Sequence, residues 1–215
     1  MLNAVDAVVF DIQDIGARYY TYVSTMRNVL EETSKRKMPL FILDRPNPIN
    51  GVRVEGPVLS KGSESFVGTH TIALRHGMTT AELARLFQAE LRLSGPLEVV
   101  PMRGWQRGDW FDSTNLTWVD PSPNMRSLNA ALLYPAIGML ESSRNYSVGR
   151  GTDAPFEQIG AEFIDGPKLA AYLNARKIPG IRIYPTRLSP NASNLKGKTV
   201  EGIRFVITNR DAFST

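Results

Sequence analysis

Ala7-Val8-Val9-Phe10-Asp11 is the first apolar run of the chain, and Leu40-Phe41-Ile42-Leu43-Asp44 is the second. Each run is apolar at successive positions and stops on an aspartate. A run apolar on both faces suits a strand buried between helices. Between them, Asp11 to Gly16 reads as a polar loop and Tyr20 to Lys35 as a helix. Val23, Met26 and Leu30 recur there at helical spacing, and Lys35, Arg36 and Lys37 stand near the end where cations suit the helix dipole. Strand, helix and strand within this length predict a βαβ unit, hence a parallel sheet in an α/β fold.

Working outward, Asp44-Arg45-Pro46-Asn47-Pro48 stops the second strand. Ile49 to Gly77 reads as a long, Gly-rich irregular segment, and connections of that length are often functional. Thr79 with Glu82 three residues on has capping-box spacing, and Leu83, Leu86, Phe87 and Leu91 form the stripe of the helix it opens. Gly95-Pro96 ends that helix, and Leu97 to Met102 reads as a third strand. All three tryptophans, Trp105, Trp110 and Trp118, fall in one turn-rich segment. Leu128 to Leu140 reads as helix followed by strand, and Ser147 to Pro155 as a polar, Gly-rich loop. Asp165-Gly166-Pro167 opens a helix carrying Leu169 and Leu173, with proline at a tolerated first position. Ile181–Tyr184 and Ile203–Thr208 read as strands. A strand within the first ten residues and a last strand close to Thr215 predict a chain truncated at both ends.

The 215 residues hold one large domain, or one domain with a smaller piece. The hydrophobic fraction of 42% and charged fraction of 21% are those of a globular protein. A net charge of +4, with acidic and basic residues interleaved, gives a mild attraction to anionic polymers. No basic stripe with aromatic platforms points to nucleic acid. No apolar run is long enough to cross a membrane, and Met1 to Asp6 lacks the regions of a signal peptide. The absence of cysteine excludes disulfides, thiolate metal ligands and a thiol nucleophile.

The chemistry-bearing residues gather at strand ends, where α/β sheets place ligands. Asp11, Gln13 and Asp14 follow the first strand; the aspartates suit sugar hydroxyls, a metal, or equally the amides of the next helix. A haloacid-dehalogenase-type phosphatase also opens on a strand and an Asp-x-Asp loop, but Gln13 stands where its second carboxylate belongs. Pro46 and Pro48 stiffen the second loop and fix the directions of Asp44, Arg45 and Asn47, a set suited to a sugar or simply to a turn. Glu55 sits in the apolar, Gly/Pro-framed Val54-Glu55-Gly56-Pro57, where burial predicts a raised pKa fit for a general acid. His70 and His76 fit no zinc spacing, so neither a metal nor a cofactor is expected. Arg150, between two glycines, suits an anion or a salt bridge to Asp153 or Glu157.

Read in order, these segments resemble a known family. Phe10-Asp-Ile-Gln-Asp-Ile-Gly-Ala-Arg-Tyr-Tyr-Thr-Tyr22 resembles the signature of the NamZ-like exo-β-N-acetylmuramidases. Asp44-Arg-Pro-Asn-Pro-Ile-Asn-Gly51, Val54-Glu-Gly-Pro57, Arg75-His-Gly-Met-Thr79, Pro121-Ser-Pro-Asn124 and Gly149-Arg-Gly-Thr-Asp-Ala-Pro-Phe-Glu157 resemble its further blocks. The resemblance implies a Rossmann-like, mostly parallel sheet flanked by helices over residues 1–145, and part of a smaller α+β auxiliary domain over residues 146–215. It implies a glycoside hydrolase that removes non-reducing-end N-acetylmuramic acid from peptidoglycan fragments, in a cleft between its domains. It implies Glu55 as one of two catalytic glutamates; the other lies in a Glu-His-Gly block that this sequence does not contain. A non-catalytic muramic-acid-binding chain is therefore the alternative. Substrate-binding positions carry over to Asp11, Gln13, Asp14, Arg18 and Tyr20, to Asp44, Arg45, Asn47 and His76, and to Asn124 and Arg150. The lactyl carboxylate of muramic acid calls for an arginine, with Arg45, Arg144 and Arg150 as candidates. Family members are commonly exported to the periplasm or beyond.

Overall fold

The computed structural model describes residues 2–215, which form two compact units divided between Thr117 and Trp118. The expected boundary at 145/146 lies within the second unit.

In the first unit, β1 (Val8–Phe10), α1 (Tyr22–Lys35), β2 (Leu40–Leu43), β3 (Glu55–Val58), β4 (Ala73–Arg75), α2 (Thr80–Glu90) and β5 (Leu97–Val100) follow one another. β1, β2 and β5 form a parallel sheet in the order β1-β2-β5, with Val8 opposite Leu40 and Leu40 opposite Leu97. The predicted βαβ unit and parallel α/β fold are therefore present. α2 begins as its sequence requires: the Thr79 hydroxyl accepts from Glu82 N, and the Glu82 carboxylate accepts from Thr79 N.

Phe10, Leu40 and Ile42 pack with Val23, Met26 and Leu30 of α1 and with Leu83, Ala84 and Phe87 of α2. The same strand residues meet both helices, so both helices cover one face of the sheet. The alternate residues lie on the other face, and there Val9 is 59% and Val100 49% exposed. The expectation of strands covered on both faces is thus met on one face within this unit. The segment from Ile49 to Gly77 is also more ordered than expected. It contains the antiparallel pair β3–β4, in which Glu55 faces Arg75. A four-residue strand interrupted by Gly56 and Pro57 leaves too little periodicity to be seen in sequence.

His70 is buried against the Phe87 ring, with centroids 4.9 Å apart, and its Nε2 lies 3.2 Å from Glu90 Oε2. Burial lowers the imidazole pKa below its ordinary 6.5, and the Glu90 carboxylate opposes part of that shift. The folded state therefore favours the neutral ring. Its contribution to stability is complete above the unfolded value and is lost as pH falls through the lower folded value. Urea unfolding measured from about pH 7.5 down to about pH 5 should show this loss, and His70→Gln should flatten it.

The second unit holds α3 (Leu128–Ile137), a 3₁₀ turn (Gly138–Ser142), β6 (Gln158–Gly160), α4 (Gly166–Ala175), β7 (Ile181–Leu188) and β8 (Val200–Ile207). The turn replaces the strand expected after α3; Gly138 follows directly and the chain tightens rather than extends. Seven of the ten α3 residues are buried, as suits a helix that is mostly apolar on all sides. β6, β8 and β7 make an antiparallel sheet in that order. β6 was not legible as a strand because its three residues, Gln158–Gly160, carry one apolar side chain, Ile159. Gly202 permits it to pair: a Cβ there would lie 1.9 Å from Ile159 O. α4 is capped by Asp165, which accepts from Lys168 N at 3.0 Å, with Pro167 in the first turn.

Candidate active site

The two loops that leave the carboxyl ends of β1 and β2 are tied together by Gln13, whose Nε2 donates to Pro46 O at 2.9 Å and to Asp14 O at 2.7 Å. Arg45 Nε lies 2.7 Å from Asp11 Oδ1. Both partners are partly exposed, so the pair adds little stability and instead sets the direction of the guanidinium. Asp44 accepts from Ala81 N and from the Thr79 hydroxyl, at 3.0 and 3.1 Å. Its carboxylate thus also holds the first turn of α2, where the dipole favours a negative charge. Burial raises the Asp44 pKa, while those hydrogen bonds pull it back.

Asp11, Asp44 and Arg45 line a cleft of about 530 Å³ at the carboxyl ends of the parallel strands. Its other wall comes from the segment after β5, with Arg103, Trp105 and Asp109. The size suits a small ligand, and the lining offers carboxylates, guanidiniums and an indole. Of the wall residues, sequence reading had marked only Trp105, as one of a cluster of tryptophans without an assigned role. Among the described residues, no group of His, Asp or Glu is arranged to hold a metal.

Asp14 and His76 are brought together below these loops. Asp14 Oδ2 accepts from Gly16 N at 2.7 Å and lies 3.2 Å from His76 Nε2. Met78 N donates to His76 Nδ1 at 3.1 Å. An amide can only donate, so Nδ1 accepts and the ring proton sits on Nε2, directed at Asp14. Asp14 Oδ1 is buried with no hydrogen-bond partner among the described residues.

Glu55 opens β3 with its side chain 16% exposed, and it is not among the residues lining the cleft. Arg75 NH1 donates to Glu55 Oε2 at 2.8 Å, and Arg53 NH1 lies 3.5 Å from Oε1. In place of the apolar surroundings expected from the sequence, two cations, Arg75 and Arg53, stand against the carboxylate. Gly56 has a φ of +75°, and a Cβ there would lie 2.8 Å from Leu74 Cβ, which confines this turn to glycine.

Other residues marked from sequence are built into the frame. Arg18 NH1 donates to Pro57 O and Ile72 O, at 2.8 and 2.7 Å. Asn47 donates to Met78 O and accepts from Ile49 N. Tyr20 is buried edge-on to Tyr22, with centroids 5.0 Å apart. Asn124 and Arg150 belong to the second unit. Asn124 Oδ1 accepts from Gly151 N at 3.2 Å. Arg150 pairs with Glu141, and its guanidinium lies 4.9 Å from the Phe156 ring. The 3₁₀ turn after α3 carries Glu141, which explains a partner that sequence proximity did not indicate.

Comparison with known families assigns residues 1–129 to the N-terminal and 132–215 to the C-terminal region of "Exo-beta-N-acetylmuramidase NamZ". The chain belongs to the NamZ family. It is 44% identical over 213 residues to the peptidoglycan β-N-acetylmuramidase NamZ of Bacillus subtilis (strain 168), matching 99% of this chain and 51% of that protein. The chain thus spans about half the length of this curated relative. Among solved structures, a DUF1343-family protein of Bacteroides fragilis NCTC 9343 superposes with a TM-score of 0.93 at 37% identity, covering 100% of this chain and 56% of the other. A second DUF1343-family protein from the same organism superposes with a TM-score of 0.76 at 29% identity, covering 93% of this chain and 53% of the other. The NamZ resemblance and the mixed α/β fold with its parallel sheet, both expected from the sequence, are confirmed.

Proposed function

We propose that this chain carries part of the sugar-cleaving site of an exo-β-N-acetylmuramidase acting on peptidoglycan fragments, with Glu55 as one of its catalytic carboxylates. The observation that carries the reading is 44% identity, over 99% of this chain and 51% of the other, with a protein named as a peptidoglycan β-N-acetylmuramidase. The strand-end cleft supplies fitting chemistry. N-Acetylmuramic acid presents hydroxyls, an amide and a lactyl carboxylate. Arg45, directed by Asp11, meets the carboxylate; Asp11 and Asp109 accept from hydroxyls; Trp105 offers an apolar ring to the sugar. Glycoside hydrolysis commonly uses two carboxyl groups on opposite sides of the bond. Its pairing with Arg75 suits Glu55 to the accepting role, as base or nucleophile, better than to that of proton donor. No step requires a metal or a cofactor. Among the described residues, no helix is long and apolar enough to cross a membrane.

The test is release of the chromophore from an aryl β-N-acetylmuramide by this chain, with the Bacillus subtilis relative as positive control. Release that depends on the β-N-acetylmuramyl group, and fails with the corresponding β-N-acetylglucosaminide, supports the reading. No release by this chain where the control is active counts against it.

A further inference from the structure

Arg75 is fully buried, with none of its side chain exposed. A guanidinium so placed loses its hydration, and burial lowers its pKa although Glu55 opposes the shift. An apolar residue of similar volume would fill the same space at less cost, so the charge itself needs a reason. Its surroundings supply one. NH2 donates to Ile49 O in the stiffened loop after β2. The guanidinium carbon lies 5.7 Å from the centre of the Trp110 ring. The backbone at Arg75 is pinned on both sides, opposite Glu55 in β3 and bridged to Ala17. Held in these ways, the side chain presents NH1 to Glu55 Oε2 at 2.8 Å. Arg53, the second cation, is different: it is 30% exposed and stands 3.5 Å from the other oxygen, Oε1.

We propose that Arg75 is the positioning residue of the candidate site, a fixed guanidinium that anchors Oε2 of Glu55. The proposal rests on the hydrolase reading for what Glu55 does, and on the geometry alone for how it is held. Trp110 is part of the device. It follows Asp109 of the cleft wall, so it places the arginine that orients Glu55 beside the segment that bounds the ligand cleft. The planar fork matters as much as the charge. Lysine offers a single ammonium point, which cannot reach Ile49 O and Glu55 together in the same geometry.

Two measurements decide this, made on the full chain with Arg75→Lys, Arg75→Met, Glu55→Gln and the Arg75→Met/Glu55→Gln double variant. In the first, urea unfolding is read as a double-mutant cycle. The loss of folding equilibrium in the double variant should be at least about ten-fold smaller than the product of the two single losses. Independent, multiplying losses would overturn the anchor. In the second, turnover of an aryl β-N-acetylmuramide is measured on the folded fraction. Arg75→Lys should lower kcat by about 100-fold with KM changed by less than about three-fold. An Arg75→Lys protein that folds less well yet keeps the parent kcat would overturn the positioning role. If the parent chain itself shows no turnover, the hydrolase reading fails, and the cycle still decides whether Arg75 anchors Glu55.

Discussion

Glu55→Gln is expected to lower kcat on an aryl β-N-acetylmuramide by about 10³-fold, within the range that removal of a proton-transferring side chain produces. KM should change little. The amide keeps the size of the carboxylate and its place at the start of β3, but it loses the charge that takes up a proton or attacks the sugar. It also leaves Arg75 facing a neutral oxygen instead of an anion, so the substitution should destabilise the first unit as well. Chromophore release and circular dichroism, measured on the same preparations, separate the two effects. Unchanged turnover in a folded Glu55→Gln protein would remove this residue from the chemistry.

Phe87→Ala should destabilise the first unit by about 3–5 kcal/mol, the usual cost of deleting a fully buried aromatic ring. Phe87 has no exposed surface and packs in the cluster that joins α1, α2 and the inner face of the sheet. His70 rests on its ring, so the cavity would also loosen the imidazole. The effect reads as a lower urea midpoint with the slope preserved. A shift equivalent to less than about 1 kcal/mol would mean that the core is not built around this ring.

Much of the fold could be read from patterns carried by single segments. β2 lies where the apolar run Leu40–Leu43 placed it, and α2 starts where Thr79 and Glu82 placed it. α1 starts two residues later than expected, at Tyr22, because Ala17 pairs with Arg75 and Tyr20 N closes a turn onto Ala17 O. The strands that escaped detection, β3, β4 and β6, are as short as β1, β2 and β5 but hold fewer apolar side chains: each contains a charged or polar residue, and β3 also Gly56 and Pro57. Pairing partners distant in sequence define them, and no local signal encodes such partners.

The candidate site divides along the same line. Aspartates and an arginine at strand ends were legible because topology alone places them there, and Asp11, Asp44 and Arg45 do line one cleft. What a side chain touches was not. The apolar letters around Glu55 pointed to a low-dielectric pocket, yet a cross-strand arginine twenty residues on sets its environment. Arg18 and Asn47 read as ligand-binding polar residues; in the fold Arg18 NH1 donates to Pro57 O and Ile72 O, and Asn47 Nδ2 to Met78 O. A long connection like 49–77 creates buried carbonyls of its own, and some of the polar side chains in its motifs satisfy them.

The central claim is that the strand-end loops and the Glu55 hairpin form one muramic-acid site. Titration of the isotopically labelled chain with free N-acetylmuramic acid, followed residue by residue by NMR, tests it most directly. Saturable shifts should concentrate in residues 11–16, 44–47, 53–56 and 102–109. No shift at millimolar sugar, or shifts centred on the apolar cleft of the second unit around Phe163 and Tyr172, would contradict it.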